Sequence, residues 1–241
     1  MVEVSIIAPT MREERAPEVV KEIFKVFGND VELIIVDKSD LTYRRLFKGT
    51  GAKVKVQRSK GYEYAIMEGF AVAEGTRVLA SIDPDGTYLV SDLKRVVDEV
   101  KRGGADFASG NRSGCSLEAM EPYLKLGNFL FAMAFDVLFL QRMKDVFSGS
   151  FAMSRDAFES IRKVKPYYSG TLFFEMELAK RRFRLRNVHV SYGPRRGTKS
   201  KLAKSKTVYA SRVLASILRD RWKEASYLLS ELFRGRFGEE R

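Results

Sequence analysis

Among its 241 residues the sequence has one cysteine, Cys115, and one histidine, His189. A single thiol rules out an intrachain disulfide and suits a reducing compartment. The lone imidazole sits in the strand-like NVHVSY (187–192) and reads as a sheet residue, so chemistry built on histidine is not expected. The opening MVEVSIIAPTMREE runs straight into a strand-like segment, without the basic stretch, apolar core and cleavage site of a signal peptide. The longest nearly uncharged stretch, LGNFLFAMAFDVLFL (126–140), is broken by Asp136 and is short for a bilayer, so no spanning segment is expected. No internal repeat, low-complexity tract or Pro/Gly-rich linker marks a second domain.

Acidic charge is scarce too: 31 Asp and Glu stand against 43 Lys and Arg, a formal net charge of +12. Such a balance attracts something acidic, whether nucleic acid, anionic lipid or a phosphorylated substrate. The basic residues crowd into the last third, as RKVK (162–165), AKRRFRLR (179–186) and PRRGTKSKLAKSK (194–206), although any one cluster could simply solvate a surface.

What is present is apolar content of 45%, enough for one well-buried domain, and an alternation of strand-like and helix-like segments. VEVSIIAP (2–9) precedes PEVVKEIFKVF (17–27), whose Val20, Ile23, Phe24 and Phe27 recur at helical spacing. VELIIVD (31–37) is nearly continuous apolar, as in a strand covered on both faces. KVKVQ (53–57) alternates, YEYAIMEGFAVAEG (62–75) is helix-like, and RVLASID (77–83) is strand-like again. SDLKRVVDEVKRG (91–103), with Ser91 as N-cap and Gly103 as stop, leads into strand-like ADFASGN (105–111). This order predicts a mostly parallel α/β sheet with right-handed crossovers.

Ligands of open α/β sheets sit at the carboxyl ends of the strands. Here the first strand ends in Pro9 and Thr10 with Glu13 close behind, the second in Asp37, and the fourth in Asp83-Pro84-Asp85. Carboxylates gathered on one edge raise each other's pKa and usually bring a cation; few, hard oxygen donors suit Mg²⁺ or Mn²⁺ beside a diphosphate. On its own DPDG (83–86) is equally what a tight turn uses, and a bare D-x-D does not decide between the two.

The order of segments resembles the family 2 inverting glycosyltransferases of GT-A fold, nearest the dolichol-phosphate mannosyltransferase and polyprenyl-phosphate glycosyltransferase branch. SIIAPTMREE (5–14) is similar to that family's opening strand and nucleotide loop, and ELIIVDKSD (32–40) to its second strand. RSKGYEYAIMEGFAVAEG (58–75) carries its Lys-Gly, Gly-Phe and Ala-x-Gly pattern, and DPDG stands at its metal motif. Further matches are FASGNRSG (107–114), KDVFSGSFAMSRDAF (144–158), FFEMELAKR (173–181) and RRGTKSKL (195–202), so the resemblance covers about 2–206. It departs at Met11 and Arg12, at Lys38 and at Thr87, where an aromatic and asparagine, an aspartate and often a glutamine are usual.

The resemblance implies a GT-A domain over 1–206 with a mostly parallel central sheet flanked by helices, followed by an amphipathic helical extension over 207–241. It implies transfer, with inversion, of a sugar from a nucleoside diphosphate sugar of GDP-mannose or UDP-glucose type to a polyprenyl or dolichyl phosphate. Pro9, Thr10, Glu13, Asp37, Lys60, Asp83, Arg112, Arg195, Ser200 and Lys201 would bind donor, and Asp83 and Asp85 would hold Mg²⁺ or Mn²⁺. Asp85, Arg112, Asp145 and Glu177 would carry the chemistry, Asp145 orienting the acceptor or its countercharge or else capping its own turn. Two other classes compete. A nucleotidyltransferase would want a Gly-rich phosphate loop near residue 10, which is missing, and a nucleic-acid-binding module would not need carboxylates on three strand ends.

A lipid acceptor needs a route from the membrane. PYLKLGNFLFAMAFDVLFLQRMK (122–144) is apolar almost all round, so its helix is buried in protein or lies partly in lipid. In 208–235, Val213, Leu214, Ile217, Leu218, Trp222, Ala225, Leu228, Leu229, Leu232 and Phe233 form one stripe rimmed by Arg212, Arg219, Lys223 and Arg234. That pattern suits an anionic membrane surface, or packing on the domain or on a second copy as a homodimer. The expectation is a cytoplasmic protein, peripheral on the cytoplasmic face of the membrane, with no nucleic-acid partner.

Overall fold

The computed structural model describes residues 2–166, 170–195 and 226. Ser200, Lys201, the 206/207 division and the stripe residues from Val213 to Phe233 lie outside them. By its contacts the chain divides into one compact unit, Met1–Lys199, and a second, Ser200–Arg241.

Among the described residues the first unit contains seven strands: β1 (Val4–Thr10), β2 (Val31–Asp37), β3 (Lys53–Val56), β4 (Val78–Ser81), β5 (Phe107–Asn111), β6 (Phe151–Ser154) and β7 (Leu185–His189). They form one sheet in the order β3-β2-β1-β4-β6-β5-β7. All pairings are parallel except those of β6, which runs antiparallel to both β4 and β5. The helices are α1 (Ala16–Phe27), α2 (Leu41–Arg44), α3 (Tyr62–Phe70), α4 (Val90–Lys101), α5 (Pro122–Phe139), α6 (Arg155–Ile161) and α7 (Leu172–Lys180).

β1 and β2 are buried at every position, which is why their sequences run apolar without alternation. On one face, α1 and α4 set Val19, Val20, Ile23, Leu93, Val96 and Val97 in one core with Ile6, Leu33 and Ile35 of the sheet. On the other, Phe70 of α3 meets Phe151, Phe158 and Phe174 edge-on, with centroids 6.2, 5.4 and 6.3 Å away. A Cβ on Gly69 would come within 2.7 Å of Ile7 Cγ2, so α3 seats this closely on β1 only with glycine there.

Three elements differ from the sequence reading. The antiparallel strand β6 replaces what read only as a motif, because four residues are too few to display a period. α3 stops at Phe70, with Ala71 capping it, instead of continuing to Gly75. α5 stops at Phe139, not 144: Leu140 turns left-handed at φ 53°, and Asp136 Oδ1 accepts the Met143 N–H at 2.6 Å. At 18 residues, α5 is by length and composition the one membrane-span candidate among the described residues, unlike the shorter stretch 126–140. Asn128, Ala132, Phe135 and Phe139 are its buried positions, and it contacts α7.

Candidate active site

Parallel pairing in register brings three strand ends together. Thr10 pairs with Asp37 across β1 and β2, and Ile7 with Ser81 across β1 and β4, so the loop after β4 emerges beside the end of β1. At the first two ends, Thr10 Oγ1 lies 2.8 Å from the Tyr43 hydroxyl, which also donates to the Glu13 carbonyl at 2.7 Å. Burial pushes the Tyr43 phenol up to about 12, so it remains a hydrogen-bonding neutral group at any physiological pH. Asp37 is fully buried; its Oδ2 accepts the Ser39 N–H at 3.0 Å and faces the Arg44 guanidinium at 3.9 Å. Its Oδ1 has no partner among the described residues, an orphan acceptor that a ligand N–H or O–H would satisfy. Arg12, one of the departures from the family pattern, pairs with Asp40 and ties this loop to the end of β2.

After β4, Asp83 and Asp85 face different neighbours. Tyr62 of α3 donates to Asp83 Oδ1 at 2.7 Å. Burial, and then the charge of Asp85, push the Asp83 carboxyl up to about 7. Asp85 Oδ1 accepts from the Thr87 hydroxyl at 2.6 Å and the Thr87 N–H at 3.1 Å, so the threonine at this position fixes the aspartate. Asp85 Oδ2 lies 3.1 Å from Arg195, whose other terminal nitrogen donates to Glu13 Oε2 at 2.7 Å. No cluster of three His, Cys, Asp or Glu able to hold a metal occurs among the described residues. Two carboxylates one residue apart nevertheless fit one hard divalent cation, provided substrate and water oxygens complete its shell.

The opposite wall is a buried ion pair. Arg112, just past β5, donates through Nε to Asp145 Oδ2 at 2.7 Å, through a terminal nitrogen to Oδ1 at 2.8 Å, and through its N–H to Oδ2 at 3.0 Å. Asp145 also accepts the Phe147 N–H at 3.1 Å, capping its turn as well as holding Arg112. Burial would raise the Asp145 carboxyl, but the charge and hydrogen bonds of Arg112 outweigh it and keep it below the ordinary carboxylate range. The guanidinium lies 5.3 Å from the Tyr192 ring centroid. Between the two walls the Tyr88 hydroxyl accepts the Gly149 N–H at 2.8 Å.

The structure thus brings Pro9, Thr10, Glu13, Asp37, Asp83, Asp85 and Arg195 to one edge, with Arg112 paired to Asp145 beside it. Lys60 is exposed in the loop before α3. Glu177, on α7, accepts from Lys180 at 3.0 Å and from Arg181 at 2.6 Å, cations of its own helix turn. Sequence reasoning passed over its neighbour Glu175, which is fully buried. Glu175 Oε1 accepts from Ser109 at 3.2 Å, Oε2 has no partner among the described residues, and burial, then the Asp145 charge, hold its carboxyl well above the usual range. Tyr43 and Tyr62 were passed over as well. The one available signal was a second acid two residues before Glu177 in an otherwise apolar helix.

A mostly parallel sheet with one antiparallel strand and carboxylates at these loop positions defines a GT-A fold. The chain belongs to glycosyl transferase family 2, whose family model matches residues 5–162. It is 29% identical over 203 residues to the low-salt glycan biosynthesis hexosyltransferase Agl6 of Haloferax volcanii, covering 80% of this chain and 48% of that one. It is 28% identical over 160 residues to the dolichyl-phosphate hexose transferase of the same organism, covering 66% and 69%. This chain therefore spans about half the length of the first relative. Among solved structures it is similar to glucosyl-3-phosphoglycerate synthase from Mycobacterium tuberculosis in complex with Mn²⁺, UDP and glucosyl-3-phosphoglycerate. That likeness has a TM-score of 0.67 at 19% identity, over 90% of this chain and 79% of the other, and bears on fold alone.

Proposed function

We propose that this chain transfers a hexose, with inversion, from a nucleoside diphosphate sugar to a polyprenyl or dolichyl phosphate at a membrane surface. The observation that carries the reading is the set of carboxylates at three adjoining strand ends, Glu13 after β1, Asp37 on β2, and Asp83 and Asp85 after β4, with the charge of the Asp145-paired Arg112 felt at Asp83. The relative named as a dolichyl-phosphate hexose transferase supports the acceptor class, and the net charge of +12 suits a phosphorylated acceptor and an anionic surface.

In this reading the orphan Asp37 oxygen accepts an N–H of the base or a ribose hydroxyl, while Pro9, Thr10 and Glu13 shape the floor beneath the nucleoside. Asp83 and Asp85 hold Mg²⁺ or Mn²⁺, which supplies charge neutralisation to the diphosphate when bound. Arg195 sits where it can exchange its carboxylate partners for diphosphate oxygens, and Lys60, exposed in the loop before α3, offers a second cation. Arg112 fixes Asp145, and the pair orients the incoming acceptor; Glu177 steadies the helix behind it. An ionised phosphate oxygen of the acceptor attacks the anomeric carbon from the face opposite the departing nucleoside diphosphate. The new C–O bond forms as the bond to the β-phosphate oxygen breaks with its electron pair. That nucleophile is already anionic at neutral pH, so no strong general base is needed. The GT-A domain spans 1–206 and the amphipathic segment over 207–241 assists attachment to the cytoplasmic face.

Incubating the protein with labelled nucleotide sugars, Mn²⁺ and polyprenyl phosphate tests the reading, with 3-phosphoglycerate and an oligonucleotide as competing acceptors. Label is expected in the lipid product with inverted anomeric configuration. Label in either competitor and none in the lipid rejects the acceptor assignment.

A further inference from the structure

The helix α5 leaves an apolar face open. Along α5, Leu126, Leu130, Met133 and Val137 follow one another at spacings of four, three and four residues, and all are exposed, Val137 at 74%. The buried positions Asn128, Ala132, Phe135 and Phe139 lie on the other side of the same helix. A stripe of large side chains this long on one helix calls for an occupant.

The charge at the end of the stripe says which. Leu140, 91% exposed, closes the row and is also part of the wall of a cleft of about 730 Å³ at the outer edge of β7. The cleft is lined by Arg142, Lys144, Arg182, Arg184 and Arg186 and, among the described residues, by no acidic one. Arg184 is committed to Asp106 at 3.0 Å and Arg186 faces Glu99 at 3.5 Å. Arg142, Lys144 and Arg182 have no acidic partner among the described residues, and Arg182 is held out on a left-handed backbone at φ 61°.

We infer that α5 and this cleft form one membrane-docking surface: the Leu126–Leu140 stripe lies in the interface of a bilayer leaflet while the cleft takes the phosphate of an anionic phospholipid headgroup. An apolar row ending in unpaired cations matches an anionic leaflet, which offers acyl chains and phosphates at adjoining depths. The buried Asn128–Phe139 side and the contact with α7 hold the helix along the body, so it lies in the interface plane instead of crossing. The inference deepens the membrane reading above and rests on it, moving the principal attachment from the 207–241 segment to the body of the enzyme.

Flotation of the full-length chain with vesicles of phosphatidylcholine alone, or with 30% phosphatidylglycerol, tests the docking (about 30% being chosen to give a surface potential of tens of millivolts). The wild type is expected to float with the anionic vesicles at low salt and not with the neutral ones. Leu130→Asp with Val137→Asp, and separately Arg142→Ala with Arg182→Ala, should each weaken the partition by about tenfold or more. All four positions are exposed, so unchanged melting should accompany the loss. Transfer to a short, water-soluble polyprenyl phosphate, measured without vesicles, is read in parallel: it should be unchanged in these variants. If the variants float like wild type, or wild type does not float, the docking surface is wrong while the activity reading stands. If wild type floats but transfers to no polyprenyl phosphate, it is the activity reading that fails. Self-association of the wild type in solution that Val137→Asp abolishes would give the face to a second copy and overturn the proposal.

Discussion

Asp83 Oδ2 occupies the space that a side chain on Gly149 would need: a Cβ there would fall 1.9 Å from it. The strand β6 begins two residues later, and Tyr88 pins the Gly149 N–H at 2.8 Å, so the backbone is held and it is the carboxylate that must give. Gly149→Ala should therefore displace Asp83 and lower Mn²⁺-dependent nucleotide affinity by about tenfold or more, since one misplaced charged ligand is worth about 1.5–3 kcal/mol. Calorimetric titration of UDP and GDP with and without Mn²⁺ measures it. Unaltered metal-dependent affinity in Gly149→Ala would remove Asp83 from the metal site.

The orphan Asp37 oxygen gives a second expectation. Asp37→Ala should weaken binding of the free nucleoside, even without metal, by about 1.5–3 kcal/mol for each charged hydrogen bond lost. The same substitution leaves the Ser39 N–H without its acceptor and Arg44 without a facing carboxylate, so melting must be followed in parallel. Equal nucleoside affinity in variant and wild type would reject this strand end as the base site.

Arg112 and Asp145 are coupled tightly enough that single substitutions should report mostly on each other. Arg112→Ala strands a fully buried carboxylate, and breaking such a pair costs about 3–5 kcal/mol of stability. Asp145→Asn should be milder, because the amide oxygen can still accept from Arg112. A double-mutant cycle by denaturant unfolding separates the pair's coupling from each residue's separate effect. Additive losses would mean that the two side chains do not act as a unit, and that Arg112 is free to meet the donor directly.

Much of this architecture is visible in the sequence because it depends on short-range pattern. β1 and β2 announce themselves as unbroken apolar runs, since both of their faces are covered. The turn residues of DPDG, read with the ends of those strands, already gather the carboxylates on one edge. What stays hidden depends on partners far along the chain. Tyr62 is meaningful only through Asp83, 21 residues on, and Tyr43 only through Glu13, 30 residues back. Asp145 gains its partner from a strand end 33 residues earlier. β6 declares its antiparallel direction only through its neighbours β4 and β5. The exposed row on α5 was legible as apolarity but not as exposure, because an apolar helix reads alike whether it faces a core or a lipid.

Glu175 shows most clearly what burial adds, and it sets a pH test. In the folded chain its carboxyl stays protonated well above the ordinary glutamate range, because burial and the neighbouring Asp145 charge oppose ionisation. In the unfolded chain it ionises near pH 4.3. Below that value both states carry the proton and the residue adds no pH dependence. As pH rises above it, only the unfolded state releases the proton, so the unfolded state gains and folding stability falls until the folded group itself titrates. Glu175→Gln keeps the shape and a partner for Ser109 but has no proton to release. The variant should therefore gain on wild type as pH is raised from 5 to 8, while the two lie close together at pH 4. Urea unfolding across that range measures the difference. A gap that is flat with pH would mean that Glu175 titrates alike in the folded and unfolded chain, and a wild type that gains on the variant as pH rises would mean that its carboxylate is stabilised by folding; either result overturns the protonated buried Glu175.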